Sequence, residues 1–516
     1  MFILRAVIAI SIKEKRSTFL TFYDVSKAYD NVDNDDLLVT MWEKGLRGKA
    51  WRILKNLNTD LTASIKTRFG PTREINMEIG GKQGSRLTGR MFSKMMDLIS
   101  EELENTDLGF NIDIDFIIRV LLWVDDVITC VEGEEEQEQI LEKLNEFAIK
   151  HKLKWGQNKC NVMRVGKHDK TNKQWQLGEL TIEETTKYKY LGDIITPDGK
   201  NTENLQSRFT KLQATTININ TIASSEVLYR IETSVLLHLY EKKCIPGLLT
   251  NAESWTLSRK DEDDLEKMEI SAVKSLFNLP VHTPTVAIIF SLGLLYTIQR
   301  VDQKQLIYLH RLLNLNDLDW YKKTLYVLKE KKIGWFVKIK DTLEKYNLPL
   351  DFDTIRTMTR NRWVNTVKHV IERKNTERLK SDLYKRENGI ETLKTKTKSI
   401  LDKITNPQYT RQPEEELLYA TKNETKAIII SRYGMLECGS NFKGKMNSTC
   451  SLCNVLDDES HRFNVCPKWN QNVNQQSHEK INFSEIYSPD IEVIRPLLSK
   501  ISSMWNTKCA NGTMIK

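Results

Sequence analysis

Two stretches hold acidic residues where chemistry is possible. In Val120–Val131, VLLWVDDVITCV, apolar runs flank the pair Asp125-Asp126. The flanks are β-branched and aromatic, which predicts two short buried strands joined by a tight turn. Two carboxylates at the tip of an apolar hairpin repel each other and raise each other's pKa unless a cation lies between them. A hard divalent cation such as Mg²⁺, which takes oxygen ligands, is the most direct remedy. Far upstream, STFLTFYDV (residues 17–25) reads as an apolar strand ending at Asp24. A carboxylate at a strand's end is held by a rigid backbone, as a catalytic group must be. A turn that merely uses Asp, or a strand that merely stops there, is the plainer alternative in each case.

A glycine-rich loop, Gly80-Gly81-Lys82-Gln83-Gly84-Ser85, precedes a helix carrying Leu87, Met91, Phe92, Met95 and Met96. Glycine lets backbone approach a ligand, and Lys82 with Gln83 can reach phosphate or base. The spacing is not that of a Walker loop. Near the other end, Cys450, Cys453, His461 and Cys466 fall within 17 residues. Soft thiolates and one imidazole at this spacing suit a small structural Zn²⁺ site.

The elements around these groups follow from pattern. After the first strand, Asp35 reads as an N-cap before Leu37, Leu38 and Met41. Leu61–Arg68 and Thr72–Ile79 alternate as strands about a turn at Phe69-Gly70-Pro71. Glu134–Lys150 is an acidic amphipathic helix, and KLKWGQNKCNVMRV ends in a strand with Lys154 and Lys159 at its turn. Tyr188–Ile195 is expected to pair with Trp175–Ile182. This order suits an α+β sheet with helices on one face. From about Thr202 to Asn406 the spacing is helical, and Pro407–Glu415 reads as a linker. Trp363, Val367 and Ile371 stand four apart and read as a core stripe.

Composition bounds the rest. Forty per cent hydrophobic and 28% charged residues are ordinary for a globular protein. Eight cysteines in 516 residues are too sparse for a disulfide scaffold, so an intracellular location, nucleus or cytoplasm, is expected. No apolar run nears the roughly 18 residues that span a membrane, and no membrane partner is expected. The apolar start, MFILRAVIAISIKEK, has an early Arg5 and no small-residue cleavage site, so it is not read as a signal peptide. The net charge is +8, and 14 Lys/Arg against 6 Asp/Glu lie in Ile355–Pro407. A basic helical segment points to a polyanion partner.

FYDVSKAYDNV, GKQGS, WVDD, KLKWGQNKCNV and YKYLGDII occur in the order of motifs A to E of reverse transcriptases. With the terminal Cys-Cys-His-Cys knuckle, the chain resembles the reverse transcriptase of a LINE-type, non-LTR retrotransposon. The resemblance implies a palm with residual fingers at 1–198, a helical thumb and connection at 199–345, a basic helical segment at 346–412, and a C-terminal region at 413–516. It also implies a chain truncated at its start. Asp24, Asp125 and Asp126 would bind two Mg²⁺ ions about 3.5–4 Å apart, with the Val25 carbonyl completing a shell. Tyr29 would sit under the sugar and exclude a 2′-hydroxyl. Lys82, Gln83 and Gly84 would line the template and nucleotide, and Lys159 would donate a proton to pyrophosphate. The partners would be an RNA template, a DNA primer and deoxynucleoside triphosphates. Arg86 and Gly89 stand where the family often has Pro, and Trp123-Val124 where it has an aromatic residue and Ala. A remnant that binds nucleic acid without catalysis is the alternative function. A ribonucleotide-using palm polymerase or intron maturase fits the motif A tyrosine and the knuckle less well.

Overall fold

The computed structural model describes residues 1–77, 79–81, 85–157, 159–166, 173–223, 231–387, 403–406, 409, 411–433, 449, 453–455, 461, 486, 488 and 490–498. The chain divides into two compact units. The first comprises Met1–Asn204, Ser254–Thr256 and Leu315–Lys338; the second comprises Leu205–Glu253, Leu257–Asn314 and Ile339–Lys516.

The first unit is α+β. Its strands are β1 (Ser17–Asp24), β2 (Leu61–Ala63), β3 (Lys66–Thr67), β4 (Gly70–Pro71), β5 (Ile75–Met77), β6 (Phe110–Asp113), β7 (Phe116–Ile118), β8 (Val120–Trp123), β9 (Asp126–Glu132), β10 (Asn161–Gly166), β11 (Trp175–Leu177), β12 (Leu180–Glu184), β13 (Tyr188–Tyr190) and β14 (Asp193–Ile195). The main sheet has the order β11-β12-β10-β1-β9-β8. Every pair in it is antiparallel except β10 with β12.

β1 is central because it is apolar on both faces. Six consecutive residues, Thr18–Tyr23, are buried. A strand buried on both faces needs cover on both. On one side, Phe19 and Tyr23 join a core with α3 (Asn34–Glu43), α5 (Arg86–Glu104) and α6 (Glu134–Lys150). These helices bring Leu37, Phe92, Met95, Leu141 and Leu144 to it. On the other side lies α1 (Phe2–Glu14), an element without a place in the sequence reading. Its Ser11 Oγ stands 2.8 Å from Thr18 Oγ1 on β1. The apolar start of the chain is therefore core, with Leu4, Val7 and Ile10 fully buried.

Several local expectations are corrected. Asp33, not Asp35, caps α3, its carboxylate accepting from the amides of Asp35 and Asp36. The hairpin over 61–77 turns at Arg68-Phe69, so that Gly70-Pro71 are paired strand, not turn. Trp175–Leu177 pairs with Leu180–Glu184, and Tyr188–Tyr190 pairs with Asp193–Ile195, so each hairpin closes on itself. The second is closed by Leu191 and Gly192, both with positive φ (45° and 87°). That backbone twist matches the flanking strands and favours the two-residue turn over a distant partner.

The second unit is helical over its described residues. Its helices include Thr202–Ala223, which starts just inside the first unit, Arg259–Leu276, Thr297–Leu313 and Arg360–Glu387. Trp363, Val367 and Ile371 are core, as their spacing predicts, and Trp363 Nε1 donates to the Leu306 carbonyl at 2.8 Å. The segment expected to be a linker is docked where it is described. Arg411 pairs with Glu372 and donates to the Gly293 carbonyl at 2.6 Å. A Cβ on Gly293 would meet Pro413 N at 2.4 Å, so only glycine allows this approach.

Candidate active site at the ends of the central strands

The register of the sheet joins the two acidic stretches. β1 pairs with β9 so that Asp24 stands directly opposite Asp126, and β8 pairs with β9 so that Trp123 stands opposite Asp126. Neighbouring Cα atoms across an antiparallel pair are about 4.5–5.5 Å apart. Asp125 lies in the two-residue turn, one position away. Only Asp125 is thus a turn residue; Asp126 opens β9, where the sequence reading put both at the tip. The β8 flank is also less buried than expected, and Trp123 is exposed.

The turn carries strain. Val124 has φ 59°, a left-handed conformation that a β-branched residue rarely adopts. Of the two turn residues, only Val124 has positive φ, the feature of a type II′ turn, where glycine is the usual occupant. The β8–β9 and β1–β9 ladders hold it there.

A second strand end completes the group. Val25 forms an isolated antiparallel bridge with Trp155. Ser26 N donates to Lys154 O at 2.8 Å, and Gly156 N to Asp24 O at 2.7 Å. This clasp brings Lys159 to Asp24, with Nζ 3.0 Å from Oδ2. Tyr188 stacks on Phe22 with ring centroids 4.1 Å apart and donates to the Lys159 carbonyl at 2.9 Å. Gly156 and Tyr188 escaped sequence reasoning. A Cβ on Gly156 would lie 2.7 Å from Asp24 Oδ2, so the glycine makes room for that carboxylate. The signal was the WGQ tripeptide within a strand-like run.

Electrostatics follow the geometry. Asp126 is half-buried, and its pKa is raised above the ordinary value by burial, then by Asp125 and Asp24. The Lys159 pKa is raised by its bond to Asp24. The Tyr188 hydroxyl is pushed well above its usual range, mainly by burial. Three carboxylates gather at these strand ends, and the ammonium of Lys159 pairs with one of them, Asp24.

Tyr29 is half-buried in the short helix α2 (Ala28–Asn31), its ring centroid 5.7 Å from that of Phe92. The glycine loop begins against it: Gly81 N donates to Tyr29 O at 2.6 Å, and Gly80 N to Val32 O at 2.9 Å. Gly80 has φ 92°, and a Cβ there would meet Asp30 O at 2.8 Å. Lys82, Gln83 and Gly84 lie outside the described residues. So do Cys450 and Cys466; Cys453 is half-buried and His461 buried.

The donor chemistry at the strand ends is the kind a hard cation takes: three carboxylates, with the pKa of Asp126 raised by burial and then by the other two. Among the described residues, however, no three His, Cys, Asp or Glu side chains gather closely enough to hold a metal. The backbone brings the acids to one edge of the sheet, and Lys159 holds Asp24.

Residues 4–195, from α1 to the end of β14, match the family model described as reverse transcriptase (RNA-dependent DNA polymerase). This part of the chain is a reverse transcriptase domain. Among solved structures the chain is similar to telomerase from Candida albicans in complex with a TWJ fragment of telomeric RNA: 14% identity, 69% of this chain and 52% of that chain covered, TM-score 0.30. It is similar to the corresponding complex from Candida tropicalis at 13% identity, covering 71% of this chain and 52% of that one, TM-score 0.32. Apo telomerase from Candida tropicalis matches at 12% identity, 71% and 56% coverage and TM-score 0.32. The chain spans about half the length of these solved chains. No curated protein matches it.

Proposed function

We propose that this chain is an RNA-directed DNA polymerase of the non-LTR retrotransposon type, extending a DNA primer on an RNA template with deoxynucleoside triphosphates. The observation that carries the reading is the Asp24–Asp126 register, with Asp125 one residue away, inside the stretch matching the reverse transcriptase family. The motif order supports the polymerase assignment, and the Cys450, Cys453, His461, Cys466 set proposed for Zn²⁺ supports the retrotransposon type.

In this reading Asp24, Asp125 and Asp126, with the Val25 carbonyl, hold Mg²⁺. The metal pair, when bound, activates the primer 3′-hydroxyl and stabilises the leaving pyrophosphate. The chain's own residues do the rest. Lys159, whose ammonium stands 3.0 Å from Asp24 Oδ2, would donate a proton to the leaving pyrophosphate. Tyr29, backed by Phe92, lies under the incoming sugar. Lys82, Gln83 and Gly84 are assigned to contacts with the template and nucleotide.

A second reading, binding without catalysis, is favoured by the Lys159–Asp24 ion pair, which occupies one of the three carboxylates. Primer extension on a poly(A) template with oligo(dT) and Mg²⁺ separates the two. Wild type is expected to incorporate dTTP, and Asp125→Ala to lose at least about 100-fold, as when one group of a preorganised polar set is removed. Equal incorporation by both proteins would exclude the polymerase reading.

A further inference from the structure

Away from the acidic strand ends, one stretch of the first unit concentrates cations and exposed rings. Residues 44–77 contain eight Lys and Arg (Lys44, Arg47, Lys49, Arg52, Lys55, Lys66, Arg68, Arg73) against Asp60 and Glu74. That is an excess of six positive charges within 34 residues. Lys44 is paired with Glu101. Among the described residues, the other seven have no acidic partner within ion-pair distance.

Aromatic rings are interleaved with these cations. The Arg47 guanidinium lies 3.9 Å over the Trp42 ring, Trp42 meets Trp51 edge-on at 5.1 Å, and the Lys55 ammonium lies 5.4 Å over Trp51. At the hairpin tip the Arg68 guanidinium lies 4.6 Å over Phe69, a ring 86% exposed. α4 (Gly48–Asn58) buries only Leu54 and leaves Ile53 and Leu57 exposed. The hairpin leaves Ile65 and Ile75 exposed as well. A fold does not need this surface for its own stability: exposed rings and unpaired like charges both cost free energy.

We propose that α4 and the β2–β5 hairpin form an auxiliary platform for single-stranded RNA, separate from the acidic strand ends. The charge excess selects a polyanion, and the rings select one with π-faces, because stacking is tolerant of sequence while the cations track phosphates. An anionic membrane offers the charge but no base to stack on Phe69 or Trp42. The choice of RNA over other polyanions rests on the polymerase reading above; the platform itself rests on the charges and rings.

The experiment is fluorescence anisotropy of the full chain with a labelled 20-nucleotide RNA of mixed sequence, from 50 to 300 mM KCl. The variants are Phe69→Ala and the triple K66Q/R68Q/R73Q, all at exposed hairpin positions that leave the main sheet intact. Phe69→Ala is expected to weaken binding at least about fivefold, the lower end for loss of one base–aromatic stack. The triple variant is expected to weaken it more at low salt and to flatten the salt slope by about 2, at roughly 0.7 per phosphate contact on a single strand. An unchanged dissociation constant and slope in both variants would overturn the platform. So would binding of wild type to phosphatidylserine vesicles, lost in both variants, with RNA binding intact. Glu142→Gln, at an exposed position of α6 outside the hairpin and the strand ends, serves as the control, expected to bind RNA as wild type does. If no protein extends a primer yet the hairpin variants lose RNA, the polymerase reading fails and the platform stands.

Discussion

Asp126 tests the electrostatics of the strand ends without any assay of polymerisation. The perturbation is Asp126→Asn, which keeps the side chain's shape and removes its charge. The register sets Asp24 beside Asp126, and Asp125 precedes it. Carboxylates about 6 Å apart, partly exposed, repel by about 0.7–1.4 kcal/mol at an effective dielectric of roughly 40–80. Two such neighbours would double that, but the Lys159 ammonium, 3.0 Å from Asp24, offsets most of one. A net gain of about 1 kcal/mol is expected for the variant, or about 2–4 °C in Tm for a domain of roughly 200 residues. The sign with pH follows from the raised pKa. A carboxyl whose folded pKa exceeds its unfolded value near 3.8 favours folding below that value, and the advantage is lost as pH rises through the folded pKa. The variant's gain must therefore be full at pH 8 and shrink as pH falls toward 4. The measurement is scanning calorimetry in EDTA across that range, then at pH 8 with millimolar Mg²⁺. Magnesium is expected to raise the wild-type Tm and to close the gap, since a cation between the acids does what the substitution does. A variant that melts at or below wild type throughout the EDTA series would refute the reasoning, as would a gain independent of pH.

The clasp on Asp24 gives a steric prediction. In Gly156→Ala the new methyl would lie 2.7 Å from Asp24 Oδ2, so the carboxylate must turn from Lys159 or the Gly156–Asp24 backbone bond must open. Either way primer extension is expected to fall about 10-fold or more, with stability down by about 1–3 kcal/mol in a urea melt. Wild-type extension by this variant would show that the close approach has no bearing on the site. For the proposed zinc set, elemental analysis of purified protein is expected to give about one Zn²⁺ per chain, and Cys453→Ser to lose it. Protein free of zinc after purification without chelators would remove the proposal.

What the sequence made legible, and what it did not, divides along the range of the forces involved. β1 and the Asp125-Asp126 hairpin were readable because continuous β-branched and aromatic runs specify strands locally. The α5 and α6 helices were readable from their apolar spacing, and Trp363 from its place in a four-residue stripe. The partner of β13 was misread because the signal for its turn is Leu191-Gly192, where a leucine takes positive φ (45°) and hides a two-residue loop. Val124 takes positive φ likewise, so the turn between β8 and β9 falls at Val124-Asp125, one residue before the pair Asp125-Asp126. α1 was missed because it is buried almost all round; no polar face marks an amphipathic helix, and its apolar run is too short to decide by length.

The pairing of Asp24 with Asp126 is a different case. Each acid was visible alone, but their adjacency depends on register between strands about a hundred residues apart, and a slip of one residue would send every side chain to the wrong face. That register is over-determined by packing. Phe19 and Tyr23 must face the α3–α5–α6 core while Leu20 and Phe22 are buried on the opposite face of the sheet. Tyr23 Oη also meets Thr129 Oγ1 at 3.1 Å inside the sheet. Burial holds the Tyr23 hydroxyl neutral, so this contact costs no charge. The same apolar alternation that makes β1 a core strand thus fixes where its last carboxylate stands. The site is placed by residues that never touch it, and a sequence read one segment at a time shows the acids but not the register that joins them.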